Sequence, residues 1–313
     1  MFLNDRDDQK FYCIYYAISR TVNNELRSQT SKHSDIVRSI YQFEKEEALT
    51  SETKGAFMKI IFIILLQTIF MNIFGQLQPI TSGVFHWNDL PVKKDKQRES
   101  RKIFEGTTPE FEYFEIHATT QYKGASPGPP HTQDNIEEVM IIKEGTLKCT
   151  IGAVTTTLSA GSVLLIPPHA EQVFENTGDG PVTYYVFKFR AKKGMDIERS
   201  KKAGSALLLN YDSLTYTEAN NKGTRKYFDR PTAMCDNYEM HITYLKVKGP
   251  SHAPHQHKDT EIILMIDGES EMMIDGKNYK AGPGDLFVAV SGQLHGISNA
   301  RNKACSYFAF KWR

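Results

Sequence analysis

From about residue 80 onward, apolar residues occur in short runs and not at helical spacing. Runs of strand length, rich in β-branched and aromatic residues, alternate with Gly, Pro, Asn and Asp. Examples are TLKCTIGAVTTTLSAGSVLLIPP (146–168) and SEMMIDGKNYKAGPGDLFVAV (270–290). Turn signals roughly every 8–12 residues are typical of antiparallel sandwiches and barrels. Because no helical periodicity follows residue 76, the pattern predicts an all-β fold.

One segment breaks this pattern, the run MKIIFIILLQTIFMNIFGQ at Met58–Gln76. Lys59 precedes an apolar stretch that ends at Phe74, and the small residue Gly75 follows it. A basic start, an apolar centre and a small residue at the end are typical of a secretory signal peptide. A buried core helix and a membrane anchor are the alternatives, although the run is short for crossing a bilayer.

The position of this run changes how the N-terminus is interpreted. Residues 1–57 are charged and show no pattern, so we expect Met58 to be the true start. Residues 1–57 are then an over-extended or disordered N-terminal segment, and 58–75 are the signal peptide. We therefore expect a periplasmic or extracellular protein that meets a membrane only through its export signal.

The remaining chain repeats itself once. RKIFEGTTPEFEYFEIHATTQYKG (101–124) matches RKYFDRPTAMCDNYEMHITYLKVK (225–248) at an offset of 124 residues. A period above 100 residues indicates a duplicated domain and not an array of short repeats. We predict an N-terminal domain at 76–192 and a C-terminal domain at 193–313, joined around a polar linker.

Charge and cysteine content exclude two kinds of function. Lys+Arg 38 against Asp+Glu 37 gives a formal net charge of +1, and no basic stripe is interleaved with aromatic residues, so nucleic acid is not expected as a partner. Cys149, Cys235 and Cys305 follow the apolar run without CxxC spacing. This argues against a zinc cluster and favours buried thiols.

The strongest chemical signal is PHQHKDTEIILMIDG at 254–268. His255 and His257 are two residues apart, so on a strand both imidazoles face the same side, and Glu261 follows four residues later. Further along, His295 is a fourth candidate ligand. Three imidazoles and one carboxylate suit a divalent transition metal and leave coordination positions open. Three hydrogen-bonded core histidines are the alternative.

The spacing of these residues resembles the two sequence motifs of cupins. Eight motif positions match, namely His255, His257, Glu261, Gly268, Gly284, Gly292, His295 and Asn299. Only the proline of the second motif is replaced, by Val290. Gly268 and Gly284 fit turns that require the absence of a Cβ.

Together with the duplication, these motifs resemble a secreted bicupin with two tandem Cupin_2-like, RmlC-like domains. The resemblance implies an all-β fold of two tandem double-stranded β-helix (jelly-roll) barrels, with ligands on inward-facing strand positions. It also implies one divalent transition metal, which would be Fe, Mn, Ni, Zn or Cu. The intact metal motif is found only in the C-terminal cupin.

The N-terminal half departs from both motifs. His131 is present, but Gln133 stands in place of the second histidine and Gln172 in place of the last one. Glu138 fits the glutamate position, with Glu137 as the alternative. An amide oxygen binds transition metals more weakly than imidazole does. We therefore expect a metal-poor domain with a structural or ligand-binding role.

Two alternatives keep a metal in the N-terminal half. The ureidoglycine aminohydrolase family of bicupins uses a glutamine ligand, so the resemblance leaves room for a weaker metal site, and its residues would be His131, Gln133, Glu138 and Gln172. A site rescued by His169 is the other alternative.

A second constellation also repeats, since Glu115 and His117 match Glu239 and His241. Residues two apart share a strand face, so each pair could line a pocket. Such pairs more often form surface or cross-strand hydrogen bonds, and we predict no catalytic role for them.

The cupin resemblance leaves more than one function open, because the fold hosts many chemistries. The first hypothesis is a metal-dependent enzyme acting on a small molecule by dioxygenase, isomerase, decarboxylase or lyase chemistry. Resemblance to quercetin dioxygenases favours the first of these, with Glu261 doubling as a catalytic base. The alternative is a non-catalytic small-molecule binding or sensing protein with a structural or ligand-anchoring metal. A seed-storage role fits poorly, because such bicupins generally lose their metal ligands. The resemblance leaves a homo-oligomer open, as bicupins often associate through their outer sheets.

Overall fold

The computed structural model describes residues 77–313, so the predicted signal peptide and the segment before it lie outside the described residues. The N-terminal half contains strands β1 (Gly83–Phe85), β2 (Val92–Lys94), β3 (Arg98–Gly106), β4 (Phe111–Gln121), β5 (Glu137–Glu144), β6 (Thr146–Ile151), β7 (Val154–Ser159), β8 (Val163–Ile166), β9 (Gln172–Asn176) and β10 (Val182–Ala191). The connection contains helix α1 (Ile197–Lys202) and strand β11 (Leu207–Leu209). The C-terminal half contains β12 (Tyr216–Ala219), β13 (Lys222–Arg230), β14 (Tyr238–Leu245), β15 (Gly249–Pro250), β16 (Thr260–Asp267), β17 (Ser270–Ile274), β18 (Lys277–Ala281), β19 (Leu286–Ala289), β20 (His295–Asn299) and β21 (Cys305–Trp312). One-turn 3-10 helices lie at Trp87–Asp89 and Tyr211–Ser213.

Each half forms a barrel from one large and one small antiparallel sheet, which confirms the predicted pair of tandem β barrels. The first large sheet has the order β11-β8-β5-β10-β4-β3-β2 and faces the sheet β7-β6-β9. The second has the order β1-β19-β16-β21-β14-β13-β12 and faces β15-β20-β17-β18. The interior of each barrel is a separate apolar cluster of alternate strand residues.

The two barrels exchange strands. β1 lies at the start of the N-terminal half but pairs with β19 of the second barrel, with Val84 opposite Phe287. β11 precedes the C-terminal half but pairs with β8 of the first barrel, with Leu208 opposite Leu164. Each barrel is therefore completed by the strand at the start of the other repeat.

A third apolar cluster joins the outer faces of the two large sheets. The aromatic rings of Phe187 and Phe310 meet edge to face at 4.9 Å between centroids, and Phe111 stacks on Trp312 at 5.2 Å. Burial of this many large rings is a major source of stability. Strand exchange and this shared core make the two barrels a single packed unit.

A buried carboxylate also joins the two barrels. Glu137, at the start of β5, is fully buried and accepts hydrogen bonds from the Thr232 hydroxyl at 2.6 Å and from the backbone N–H groups of Ala233 and Met234, both at 3.0 Å. Glu137 was the alternative for the glutamate of the first motif. Its side chain instead binds the loop of the opposite barrel.

Three further features of the structure bear on the cysteines, the linker and the membrane. Cys149, Cys235 and Cys305 are buried, as predicted for apolar thiols, and form no disulfide within residues 77–313. The connection between the repeats, predicted to be a plain linker, contains the short helix α1, whose N-cap Asp196 accepts from the backbone N–H of Arg199. Among the described residues no helix is long and apolar enough to cross a membrane.

Candidate metal centre

The C-terminal barrel brings the predicted ligands into one group. Backbone hydrogen bonds in both directions, each 2.9 Å, link His255 to His295 at the start of β20. Glu261 is the second residue of β16 and lies on the interior face, the same face as Ile263 and Met265 of the barrel core. His257 lies in the loop between His255 and Glu261, and its ring joins the same cluster.

The resulting cluster has the dimensions of a metal site. One candidate ligand atom from each of four residues lies within 4.8 Å of all the others, and the residues are His255, His257, Glu261 and His295. The centroids of the His257 and His295 rings are 4.8 Å apart, and His255 lies 4.8 Å from His295. The predicted proximity of these residues is therefore found in the structure.

Hydrogen bonds fix which imidazole nitrogens are available. Nδ1 of His257 is 2.9 Å from the carbonyl oxygen of Asp259, and Nδ1 of His295 is 2.8 Å from that of Gln293. A carbonyl can only accept, so both Nδ1 atoms carry the proton and Nε2 is the remaining ligand atom. Both Nε2 atoms point at Oε2 of Glu261, at 3.3 Å from His257 and 2.8 Å from His295.

The same contacts determine the charge of the cluster. Burial would raise the pKa of Glu261, but hydrogen bonds from His257 and His295 outweigh it and hold that pKa well below its usual range. Burial would lower the pKa of His295, but the hydrogen bond to Glu261, the hydrogen bond to the Gln293 carbonyl and the negative charge of Glu261 together outweigh it and raise that pKa. Without a metal, the cluster therefore favours a carboxylate beside an imidazolium.

The residues present fit a divalent transition metal. Nδ1 of His255 is buried and has no hydrogen-bond partner in the described part of the chain, although a buried imidazole nitrogen usually has one. Burial and the neighbouring His252 lower the pKa of His255, so this ring is neutral, as a metal ligand must be. Three neutral imidazoles and one ionised carboxylate are a donor set for Fe, Mn, Ni, Zn or Cu.

The remaining motif residues shape the barrel around the cluster. Gly268 has a φ of +72°, and a Cβ there would lie 2.5 Å from the Ala304 carbonyl oxygen. Gly284 has a φ of +90°, so both glycines meet the prediction of turns that exclude a side chain. Asn299 donates to the carbonyls of Leu245 at 3.1 Å and Lys303 at 2.8 Å, and so supports the barrel wall.

The N-terminal barrel places the equivalent residues together but connects them differently. Glu138 is 4% exposed and accepts hydrogen bonds from the side-chain amides of Gln133, at 3.4 Å, and Gln172. The Nζ of Lys188 lies 3.4 Å from the same carboxylate. His131 is bridged to Gln172 through the backbone, as His255 is to His295, but its own Nδ1 lies 3.3 Å from the carbonyl oxygen of Pro129.

His169, the alternative ligand of the first barrel, has a φ of +67°, and its backbone N–H donates to the Gln133 carbonyl at 2.8 Å. No side-chain contact joins it to the carboxylate of Glu138 among the described residues. The structure therefore gives no geometric support to a site rescued by His169.

The repeated Glu–His pairs line the barrel interiors. Glu115 lies directly opposite Lys188, and Glu239 directly opposite Lys311, so each glutamate shares a face with the interior residues of its barrel. Nδ1 of His117 is 3.0 Å from Glu115, and the corresponding distance from His241 to Glu239 is 3.4 Å. Strand register turns both pairs inward, which agrees with the alternative that they line a pocket.

Sequence reasoning missed the two lysines. Lys188 and Lys311 occupy equivalent positions in the repeated segments YYVFKFR and YFAFKWR. Each lies opposite two glutamates of its own barrel, on the strands to either side. The repeat itself was the signal that could have found them, since a charged residue recurs in an otherwise apolar run.

Comparison with known proteins agrees with this architecture. The Cupin domain family matches residues 119–188 and 241–311, one match in each barrel. The fold is a tandem pair of cupin barrels. Among curated proteins, none matches the sequence of this chain.

Solved structures share the two-cupin fold at low sequence identity. AerE from Microcystis aeruginosa superimposes with a TM-score of 0.58 at 13% identity, covering 74% of this chain and 100% of its own. Ylba from E. coli gives 0.57 at 14%, covering 76% and 94%. An oxalate decarboxylase variant from Bacillus subtilis gives 0.56 at 11%, covering 74% and 77%. At these identities the likeness concerns the fold alone.

Proposed function

We propose that the C-terminal cupin is the centre of a metal-dependent enzyme acting on a small organic molecule, with dioxygenase-like chemistry as the leading reaction class. The observation that carries this proposal is the convergence of three imidazoles and one carboxylate within 4.8 Å. A group of this composition on rigid strands is typical of catalytic sites that keep open coordination positions.

A bound divalent metal would supply Lewis acidity and positions for substrate or dioxygen. The protein residues prepare for it. The carbonyls of Asp259 and Gln293 hold His257 and His295 in the tautomer that offers Nε2. Glu261 contributes its negative charge without needing to lose a proton, because its pKa is already well below its usual range.

Glu261 is also the proposed base, and its contacts decide when it can act. While His257 and His295 donate to its Oε2, the carboxylate is a weak proton acceptor. A divalent cation that replaced these donors would hold the pKa of Glu261 low by its own charge. We infer that Glu261 can act as a base only when its carboxylate is not engaged as a ligand.

A row of polar side chains beside the cluster is a suitable surface for a substrate. Lys311 lies opposite both Glu261 and Glu239 on the barrel interior, and its Nζ is 3.6 Å from Glu239. Glu239 in turn holds Nδ1 of His241, which leaves the second nitrogen of that ring free to contact a ligand. The side chains of this row are about one-third exposed, so a small polar molecule can reach them.

The experiment that tests the proposal measures metal content in two matched variants. His257→Ala should reduce bound metal to less than about a tenth of the wild-type value, because it removes one of the ligands of an open site. Gln133→Ala, at the equivalent position of the first barrel, should leave metal content unchanged. Elemental analysis of protein purified without chelator gives both values. Equal losses in the two variants would overturn the asymmetric assignment.

Oxygen consumption across a panel of phenolic compounds and sugar acids then separates enzyme from binding protein. The wild-type protein should consume oxygen with at least one compound of the panel, and the His257→Ala variant should not. A metal-loaded protein that binds compounds of this panel without turnover favours the non-catalytic alternative.

We also propose that the protein works outside the cytoplasm, with domains bounded at 76–192 and 193–313. The apolar run at Met58–Gln76 supports the export proposal. Mass spectrometry of the mature protein tests it, because peptides from residues 1–57 would contradict both removal of a signal peptide and a start at Met58.

A further inference from the structure

The carboxylate at the centre of the N-terminal barrel is already neutralised by the protein. Glu138 is 4% exposed, and a buried carboxylate requires a compensating charge or several hydrogen bonds. It has both, because Lys188 lies 3.4 Å away and the amides of Gln133 and Gln172 donate to it.

The equivalent lysine of the C-terminal barrel has a different partner. Lys311 lies opposite Glu261 and Glu239, as Lys188 lies opposite Glu138 and Glu115. In the part of the chain that the structure describes, Lys311 pairs with Glu239 at 3.6 Å, and Glu261 contacts His257 and His295 instead. Each lysine thus lies between two glutamates. Lys188 pairs with the glutamate at the motif position, Glu138, whereas Lys311 pairs with the other one, Glu239.

The first barrel therefore does not fit a divalent metal. Both glutamines present N–H donors to Glu138, and a donor group faces a cation with the wrong end of its dipole. The Lys188 ammonium would also lie beside the bound cation and repel it. One buried oxygen, Oε1 of Gln172, has no hydrogen-bond partner among the described residues, but a single neutral oxygen does not replace two imidazoles.

We propose that Lys188 takes the place of the metal in the N-terminal barrel, so that its ammonium occupies the charge role that a divalent cation would have at Glu138. This barrel is then free of metal, and the two described barrels together bind one metal ion and not two. The proposal concerns the first barrel and does not depend on the reaction catalysed in the second.

The test rebuilds the first site in a protein that lacks the second. All variants carry His257→Ala, so that metal bound by the full-length folded protein reports on the N-terminal barrel. Gln133→His and Gln172→His restore the imidazole ligands, with Lys188 kept in one protein and replaced by Met in another. Co²⁺ is the probe, measured by calorimetric titration and by its visible absorption.

We expect the protein with Lys188→Met to bind close to one equivalent of Co²⁺, at least tenfold more tightly than the protein that keeps Lys188. The matched control replaces Lys148, which pairs with Glu175 on the barrel surface at 2.9 Å, by Met. This control should bind no more tightly than the protein that keeps both lysines. Lys188→Gln is the second variant, because its amide can still bond to Glu138 if methionine impairs folding.

Three results would overturn the proposal. The first is equally tight Co²⁺ binding with and without Lys188. The second is no binding by either folded Lys188 variant. The third is a His257→Ala protein that keeps a full equivalent of metal, lost on Gln133→Ala. Failure of the proposed function is a separate result, since it would appear as absence of metal from the wild-type C-terminal site.

Discussion

At the scale of single residues, the candidate metal centre is governed by proton positions as much as by distances. His295 donates from Nδ1 to a backbone carbonyl and from Nε2 to Glu261, so both ring nitrogens carry protons in the metal-free protein. A metal that binds Nε2 must displace one of these protons. Binding and protonation therefore compete at the same atom.

This competition predicts a pH dependence of metal affinity. The pKa of His295 is raised and that of Glu261 is well below its usual range, so lowering the pH adds protons to the imidazole and not to the carboxylate. Affinity should fall on acidification from about pH 7.5 to 5.5, by up to about tenfold per pH unit once His295 is protonated. Calorimetric Co²⁺ titrations in buffers of different ionisation enthalpy would give both the affinity and the protons released. Constant affinity over this range, or binding without proton release, would contradict the assignment of Nε2 as ligand.

The second prediction at the residue scale concerns stability and the glycine at position 268. A Cβ there would lie 2.5 Å from the Ala304 carbonyl oxygen, in a residue whose φ is +72°. Gly268→Ala should lower the free energy of unfolding by about 2–5 kcal/mol, since steric overlap adds to the left-handed strain. Gly276 is the matched control, with a φ of +78° and open space around it, and Gly276→Ala should cost about 1–2 kcal/mol. Chemical denaturation measures both values, and equal losses would show that overlap at Gly268 is relieved.

At the scale of elements, the exchanged segments are held by unequal contacts. Asp285 accepts from the backbone N–H groups of Trp87 and Gly282, each at 2.9 Å, and lies 2.9 Å from Nδ1 of His86. The equivalent residue of the first barrel, Ser162, accepts a single hydrogen bond of 3.1 Å from the backbone N–H of Tyr211. The segment that follows β1 is therefore anchored more strongly than the segment that follows β11.

We predict that Asp285→Ala lowers the free energy of unfolding by about 2–4 kcal/mol and Ser162→Ala by about 1 kcal/mol. The reason is that removal of Asp285 leaves several donors without partners, while removal of Ser162 leaves one. Urea denaturation of both variants measures the difference, and hydrogen exchange at Trp87 should accelerate only in the first. A larger loss in the Ser162 variant would contradict this description of the exchange.

At the scale of the whole molecule, the shared apolar cluster and the exchanged strands bind the two barrels together. Neither large sheet is complete without a strand from the other repeat: β1 belongs to the sheet of the second barrel, and β11 to the sheet of the first. Phe111 and Phe114 of the first barrel both pack on Trp312 of the second, at 5.2 and 5.0 Å between ring centroids. Separating the barrels would expose this surface to water, so independent unfolding is unfavourable.

We therefore predict one cooperative unfolding transition for the described unit. Trp87 packs against Tyr185 of the first barrel, and Trp312 lies in the shared core, so fluorescence reports on the junction. Far-ultraviolet circular dichroism reports on all strands. The two signals should change at the same denaturant concentration, and two separate transitions would contradict the single unit.

The sequence alone determined the β class, the duplication and the ligand group of the C-terminal barrel. Strand-length apolar runs leave few alternatives to a β barrel. The spacing of His255, His257, Glu261 and His295 in the sequence predicts their proximity in the fold, because each lies at the end of a strand or beside it. Tertiary structure decided the rest. Strand exchange, and the choice of Lys188 for Glu138 but of Lys311 for Glu239, depend on which strands become neighbours. Those contacts join residues distant in sequence, and the two repeats are too alike in local pattern to distinguish them.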